Sequence, residues 1–227
     1  MRKNERVVRI VEALKTEYPD AICSLDYSKP YELLIATRLS AQCTDARVNI
    51  VTKTLFSTYN TLQSFADAPI EMIEEIIKPC GLYKTKARDI KRIAQDLQQR
   101  YSGIVPDTMD ELLSLSGVGR KTANLILGDI YHKPAVVCDT HCIRITNKMG
   151  LTSTKDPLRC EKELKALLPP EESNDFCHRM VLHGRAVCKA RSPLCSQCCV
   201  NTLCSYGIGM LKQLSLTGKS KSVPLEY

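Results

Sequence analysis

Five of the twelve cysteines lie close together between Cys188 and Cys204. Four of them follow the spacing Cys188-x6-Cys195-x2-Cys198-x5-Cys204, and Cys199 is an extra neighbour. Clustered thiolates repel one another unless a cation neutralises them, so this pattern predicts a metal centre. Zinc sites with four cysteines usually pair two Cys-x-x-Cys motifs that lie far apart, whereas this segment has one such pair. The spacing favours a [4Fe–4S] cluster, which also takes four thiolates, and leaves zinc as the alternative.

A second segment suited to chemistry is the glycine-rich stretch Leu115–Lys121, which joins two predicted helices. Gly117 and Gly119 allow the backbone to turn tightly and to approach another surface closely. The first amides of the following helix have no acceptor within that helix, and its partial positive charge attracts phosphate. The spacing differs from that of a Walker nucleotide loop. On pattern alone, a clamp for DNA phosphates and a plain turn between helices both remain open.

Lys121 and Asp139 are the candidate catalytic residues. Lys121 lies in the first turn of its helix, where the helix dipole disfavours a cation. Repulsion by the dipole together with partial burial would lower the pKa of this ammonium group, and a neutral amine is a nucleophile. An exposed lysine in a solvated turn is the competing interpretation. Asp139 follows the apolar segment 135–138 and is predicted to cap the next helix, a position from which its carboxylate can also face a cleft.

Composition and charge narrow the class of protein. Of 227 residues, 44% are apolar and 25% are charged, which excludes a disordered or fibrous chain. Lys and Arg number 32 and Asp and Glu number 25, and the net charge of +7 favours polyanions such as nucleic acid. The start of the chain is too charged for a secretory signal, and no apolar run is long enough to span a membrane. We therefore expect reduced cysteines and a cytoplasmic location in a prokaryote, near the nucleoid.

Helical periodicity runs through most of the chain, whereas strand patterns are nearly absent, so the predicted fold class is all-α. Thr108 and Glu111 form a capping box, and Gly150 is a natural helix end. The apolar segment 135–138 is too short and too isolated to build a sheet. Residues 211–227 lose the helical period and are predicted to form a flexible tail. The main predicted helices cover residues 5–17, 31–39, 45–59, 70–78, 84–101, 121–131, 140–149, 157–168 and 174–183.

Taken together, these segments resemble the endonuclease III family of helix–hairpin–helix DNA glycosylases over about residues 1–207. The hairpin Leu115–Lys121, the loop 135–141 with its Asp139, and the cysteine spacing all resemble family motifs. Segments 39–45 and 81–83 resemble two further ones. Several separated motifs in the family's order argue against a chance match, and they favour the iron–sulfur interpretation over zinc. One departure is Ser116, which stands where the family usually has proline.

The resemblance implies a two-lobed helical fold with a DNA-binding cleft between the lobes. One lobe is continuous, about residues 22–133, and contains the helix–hairpin–helix. The other combines residues 1–21 with 134–210 and holds a [4Fe–4S] cluster. The protein is expected to act as a monomer on double-stranded DNA that contains an oxidised pyrimidine or an abasic site.

The family excises oxidised pyrimidines and then cleaves the abasic site, and the resemblance assigns the chemistry to two residues. Lys121 would attack the sugar C1′ and form a Schiff base, after which β-elimination releases the 3′ phosphate. Asp139 would stabilise the positive charge that develops on the sugar and assist proton movement. The cluster ligands would be Cys188, Cys195, Cys198 and Cys204.

Further residues are expected to contact DNA. Gln42 resembles the family residue that fills the gap left by the flipped nucleotide, and Leu82 resembles the wedge in the opposite strand. A solvated helix end is the alternative for Gln42, and burial in the core is the alternative for Leu82. The remaining expected contacts are the backbone of Gly117, Val118 and Gly119, the pair His141 and Arg144 on one helix face, and Lys189 and Arg191 in the first cluster loop.

Two other functions remain open from the sequence. A related adenine glycosylase, which acts opposite oxidised guanine, has the same cluster spacing. It typically lacks the lysine found here at 121 and carries an extra C-terminal domain for which this chain has no room. A non-catalytic DNA-binding module would use the hairpin only as a phosphate clamp, and the presence of both Lys121 and Asp139 weighs against it.

Overall fold

The structure is a computed structural model that describes residues 3–217. Within this range the regular elements are all helical, which confirms the predicted all-α class. None of the described helices combines the length and the apolar character needed to cross a membrane. The α-helices are α1 Lys3–Glu17, α2 Pro30–Leu39, α3 Asp45–Thr58, α4 Leu62–Asp67, α5 Ile70–Ile77, α6 Tyr83–Tyr101, α7 Met109–Leu113, α8 Arg120–Asp129, α9 Thr140–Met149, α10 Pro157–Lys165, α11 Ser173–Ala186 and α12 Ser205–Thr217; short 3-10 turns cover Lys78–Cys80, Pro170–Glu172 and Cys195–Gln197.

The chain divides into two compact units. One is the continuous segment Cys23–Ala135, and the other combines the N-terminal segment up to Ile22 with the segment that starts at Val136. The division expected from the sequence, with a continuous lobe over residues 22–133, lies one residue away at its start and two residues away at its end.

The unit Cys23–Ala135 is organised around α2 and α6. Helix α2 is buried along almost its whole length, as its nearly continuous apolar sequence predicts. Helices α4 and α5 pack against α6, and α8 packs against α2. The Thr108 side chain accepts a hydrogen bond from the Glu111 amide at 3.4 Å, which confirms the predicted N-terminal cap of α7. These contacts fix the start of α8, where Lys121 lies.

The second unit brings the N-terminal helix against the last part of the chain. Helix α1 packs on α11, and α9 packs on both α11 and α12. The Arg6 guanidinium donates hydrogen bonds to the carbonyls of Met149 at 3.0 Å, Gly150 at 2.9 Å and Leu203 at 3.2 Å. Arg6 therefore ties α1 to the end of α9 and to the start of α12, next to the clustered cysteines.

The predicted tail, residues 211–227, differs in part from the structure. Residues 211–217 are helical because α12 continues to Thr217. No glycine or proline interrupts the chain from Met210 to Thr217, and Met, Leu, Lys and Gln are good helix formers, so the added serine and lysine do not end the helix. Residues 218–227 lie outside the described part of the chain.

Candidate active site and metal centre

The glycine hairpin lies between α7 and α8. Gly117 has a φ of +69°, a left-handed conformation that favours glycine, and the Val118 amide donates to the Leu115 carbonyl at 3.2 Å. The Val118 amide is therefore committed to the turn, contrary to the expectation that it is free for a phosphate. Gly119 is the N-cap of α8, so the first-turn amides that follow it are the donors left for an anion.

Two side chains from outside the hairpin, Arg38 and Asp89, hold it in place. The Ser116 hydroxyl donates to one carboxylate oxygen of Asp89 at 2.8 Å, and the Arg38 Nε donates to the other at 2.7 Å. Gly117 packs directly on this ion pair, because a Cβ at Gly117 would lie 2.6 Å from Arg38 Nε. Ser116 thus contributes a specific hydrogen bond where the family's usual proline would contribute stiffness.

The two hairpin glycines give a first testable prediction. Gly117→Ala should reduce thermal stability, since it places a methyl group against the Arg38–Asp89 pair in a left-handed backbone, at a cost of roughly 1–3 kcal/mol. Gly119→Ala should leave stability almost unchanged, because Gly119 has a φ of −100° and nothing within 4 Å of an added Cβ. Thermal melting of both variants tests this. Equal melting temperatures for the two variants would contradict it.

The Gly119 variant also tests the phosphate clamp. Its added Cβ would stand beside the first amides of α8 and obstruct a phosphate there, so DNA affinity should fall although the protein remains folded. Titration of a labelled duplex measures this. Unchanged affinity would show that phosphate does not approach these amides.

Lys121 is the second residue of α8 and its side chain is exposed. The partial burial expected for it is therefore wrong, although its position at the positive end of the helix is as predicted. A neighbour that the sequence did not reveal is Cys23, which is 98 positions away. Burial raises the pKa of Cys23 to about 12, and a backbone hydrogen bond at Leu25 and, to a smaller extent, the charge of Lys121 offset this only in part. Cys23 is thus a neutral thiol at neutral pH.

Asp139 is the N-cap of α9, as predicted. Its Oδ1 accepts a hydrogen bond from the Cys142 amide at 2.7 Å, and the residue is half-buried. Gly150, with a φ of +71°, ends the same helix. The cap fixes the orientation of the carboxylate relative to α9. Among the scattered cysteines, Cys80, Cys142, Cys160 and Cys177 are buried, as expected for core residues.

His141 and Arg144 share one face of α9, but their contacts lie inside the unit. The Arg144 guanidinium donates to the Cys188 carbonyl at 2.6 Å and lies 3.3 Å from His141 Nδ1. Arg144 therefore anchors the loop that begins at Cys188. Lys189 and Arg191, on that loop, are both exposed.

Gln42 and Leu82 share an unusual backbone conformation. Their φ angles are +56° and +50°, in the left-handed region that residues other than glycine rarely adopt. Gln42 is exposed, and Leu82 is 57% exposed, so the alternative that Leu82 belongs to the core is wrong. A large apolar side chain held in solvent by a strained backbone is typical of a contact residue.

The four cysteines predicted as metal ligands line one cavity. They are Cys188, Cys195, Cys198 and Cys204. The other walls are largely apolar and include Ile145, Val187, Pro193, Leu194 and Val200.

One backbone N–H group and one side-chain N–H group point at the cavity sulfurs. The Gly207 amide donates to Cys204 Sγ at 3.4 Å, and Arg144 Nη1 lies 3.9 Å from Cys188 Sγ. Such N–H donors stabilise thiolates, and they are one means by which proteins tune iron–sulfur clusters. Burial and the neighbouring cysteines raise the pKa values of Cys195 and Cys204, because several negative charges cannot share this space without a cation. The cavity thus gathers four thiols and two N–H donors within largely apolar walls.

A histidine that the sequence analysis missed completes the wall of the cavity. His183, on α11, is buried, and its Nε2 lies 3.5 Å from Cys198 Sγ. Its Nδ1 lies 3.1 Å from the Tyr18 hydroxyl of α1. Cys199 lies next to Cys198 but does not line the cavity. Within residues 3–217, no three His, Cys, Asp or Glu side chains are arranged around a single-ion position.

Comparison with known proteins identifies the class to which this fold and these sites belong. The model of the HhH-GPD superfamily of base excision DNA repair proteins matches residues 35–170, and the chain belongs to that superfamily. Endonuclease III of Synechocystis sp. is 44% identical over 203 residues, which are 89% of this chain and 93% of that protein. Endonuclease III of Bacillus subtilis is 42% identical over 191 residues, 84% of this chain and 87% of that protein.

A solved structure leads to the same family. It is a trapped covalent intermediate of an endonuclease III with DNA, it is 41% identical, and its TM-score is 0.85. The match covers 93% of this chain and 100% of the other. Within the superfamily, the chain therefore belongs to the endonuclease III family, as its motifs predicted.

Proposed function

We propose that this protein removes oxidised pyrimidines from duplex DNA and cleaves the abasic site that results, with Lys121 as nucleophile and Asp139 as the assisting carboxylate. The observation that carries the proposal is the position of Lys121. Its amine is exposed at the N-terminus of α8, directly after a hairpin whose glycine is pinned by Arg38 and Asp89. An amine beside an anchored phosphate clamp can reach a sugar carbon of the bound strand.

The reaction begins when the damaged nucleotide leaves the base stack. The Lys121 amine forms a bond to C1′ while the bond between C1′ and the base breaks, and the base departs with the electron pair. The sugar ring then opens to a Schiff base. Loss of a proton from C2′ and cleavage of the C3′–O bond follow, and these release the 3′ phosphate.

Asp139 contributes electrostatics and proton transfer. Its carboxylate is held by the Cys142 amide in a half-buried position, so its direction is fixed before substrate binds. A fixed negative charge stabilises the positive charge that develops on the sugar as the base leaves. The same carboxylate accepts a proton from the attacking amine.

The other DNA contacts divide by chemistry. Gln42 fills the gap left by the flipped nucleotide and Leu82 enters the opposite strand. The first amides of α8 after Gly119, together with Lys189 and Arg191, bind phosphates, and His141 is a further DNA contact. Arg144 acts indirectly, because its guanidinium holds the Cys188 carbonyl.

The experiment that tests the proposal compares three duplexes. One contains thymine glycol, one contains adenine opposite 8-oxoguanine, and one is undamaged. We expect base release and strand cleavage only with thymine glycol. Adenine release without cleavage would favour the adenine-glycosylase alternative, and binding without release from any duplex would favour the non-catalytic module.

We further propose that the cavity cysteines hold a [4Fe–4S] cluster, with Cys188, Cys195, Cys198 and Cys204 as ligands. Support comes from the four converging thiols, the apolar walls and the N–H donors to sulfur. When bound, the cluster shapes the segment between its first two ligands, which presents Lys189 and Arg191 to phosphate.

The adjacent cysteines Cys198 and Cys199 provide a matched pair for testing the ligand set. Cys198→Ser should lose most of the iron and the visible absorbance, because it removes a thiolate from the cavity. Cys199→Ser should keep both, because Cys199 lies outside the cavity lining. Iron analysis and the absorbance spectrum of the purified variants measure this. Iron lost from the Cys199 variant and kept by the Cys198 variant would reverse the assignment.

A further inference from the structure

Lys86 is a fully buried lysine that the reaction does not use directly. It lies near the start of α6, is 0% exposed, and donates from Nζ to the carbonyls of Leu39 and Cys80, each at 2.8 Å. Leu39 is the last residue of α2, and Cys80 ends the 3-10 turn before α6. Carbonyls at helix ends lack partners within the helix and carry partial negative charge, so both are suited to a cation.

Each of the two carbonyls belongs to a residue that lies shortly before a loop with a left-handed residue, Gln42 in one loop and Leu82 in the other. Leu39 precedes Gln42 by three residues, and Cys80 precedes Leu82 by two. Gln42 and Leu82 are both left-handed, and such conformations persist where the surrounding structure holds them.

The loops also approach one another, because the Cys43 and Cys80 thiols are close enough to interact electrostatically. Burial and the Cys43 thiol raise the pKa of Cys80 to about 11, so this thiol is neutral and the contact is not an ion pair with Lys86. Lys86 Nζ is thus the donor that joins the backbones of the two loops.

We propose that Lys86 is a positioning residue that fixes the spacing between Gln42 and Leu82, so that both side chains enter the DNA together when the damaged nucleotide leaves the stack. The proposal rests on the proposed function, which gives Gln42 and Leu82 their roles. Lys86 itself is buried and does not reach DNA. Its effect passes through the backbone of the two loops.

The direct test replaces Lys86 with methionine, which keeps the length of the side chain and removes the donors. The matched control is Lys91→Met on the same helix. The Lys91 Nζ donates to the Ala68 carbonyl at 2.6 Å and so also binds a helix end, but one that leads to neither loop. We expect Lys86→Met to slow single-turnover base excision at saturating DNA by about tenfold or more, since two buried carbonyls lose their donor, and Lys91→Met to change it less than about twofold.

Two readouts separate positioning from general stability. A 2-aminopurine beside the lesion reports unstacking, and its fluorescence rise should shrink with Lys86→Met and stay normal with Lys91→Met. Thermal melting of both variants shows how much stability each loses. If the methionine variant does not fold, Lys86→Gln keeps one amide donor and should show a smaller loss of excision in the same assays.

A double-mutant cycle decides the proposal. In a Gln42→Ala, Leu82→Ala background, the effect of Lys86→Met on excision should largely disappear, because the residues it positions are gone. An undiminished effect, or an equal effect of Lys91→Met, would overturn the positioning role alone. If Gln42→Ala and Leu82→Ala leave excision unchanged, the roles assigned to those residues fail and the inference fails with them.

Discussion

Lys121→Ala should abolish the covalent protein–DNA adduct that borohydride traps on duplexes containing thymine glycol or an abasic site. The adduct requires a Schiff base, and the variant has no amine at the N-terminus of α8 to form one. Strand cleavage should fall by about 1000-fold or more, as expected for removal of a covalent nucleophile. Gel analysis of the trapped product and of the nicked strand measures both effects.

The control for this variant is Lys162→Ala on α10, which removes another exposed lysine, 41 positions further along the sequence. It should form the adduct at the wild-type rate. An adduct that persists in Lys121→Ala would place the Schiff base on another amine. Base release without any adduct in the wild-type protein would instead indicate a monofunctional glycosylase led by Asp139.

The second large effect is expected from Asp139→Asn. Asparagine caps helices about as well as aspartate, so α9 should keep its N-terminus and the protein its stability. The negative charge and the proton acceptor are both lost, and the rate of base excision should fall by about 100- to 10,000-fold. Single-turnover excision from a thymine glycol duplex, together with thermal melting, tests the two halves of this expectation.

A second aspartate that caps a helix, Asp156, provides a control for the capping role of Asp139. Asp156 caps α10 in the same way, accepting from the Arg159 amide at 2.7 Å. Asp156→Ala and Asp139→Ala should each lose about 1 kcal/mol of stability, but only the second should lose activity. Comparable activity losses in both alanine variants would mean that Asp139 acts merely as a cap.

The parts of the fold that could be predicted depend on short-range patterns. Asp139 and Gly150 bound α9 because a cap carboxylate and a left-handed glycine act within one helical turn. The same applies to Thr108 at the start of α7. Helix α4, with six residues, was missed because it is too short for its periodicity to be read. Helix α12 was not predicted, because the rise in serine and lysine after residue 210 indicated a flexible tail.

The features that the sequence did not reveal depend on contacts between distant positions. Ser116 donates a hydrogen bond to Asp89, and Lys86 donates one to the Leu39 carbonyl, only after the helices have packed. His183 gave no signal because a lone histidine on a helix has no pattern, and its contact with Cys198 arises from the loop that follows α11. The left-handed backbone at Gln42 and Leu82 could not be predicted either, since neither residue type favours that conformation by itself and distant contacts must hold it.

The tether made by Arg6 has a consequence for the order in which the protein forms during synthesis. Its partners include the Leu203 carbonyl, 197 positions further along the chain. The N-terminal helix therefore cannot complete these contacts until nearly all of the described residues have left the ribosome. The continuous segment Cys23–Ala135 is synthesised much earlier and can fold first. Until then α1 exposes an apolar face that is buried in the folded protein and is formed by Val7, Ile10, Val11 and Leu14. Chaperones that bind nascent chains would bind this face.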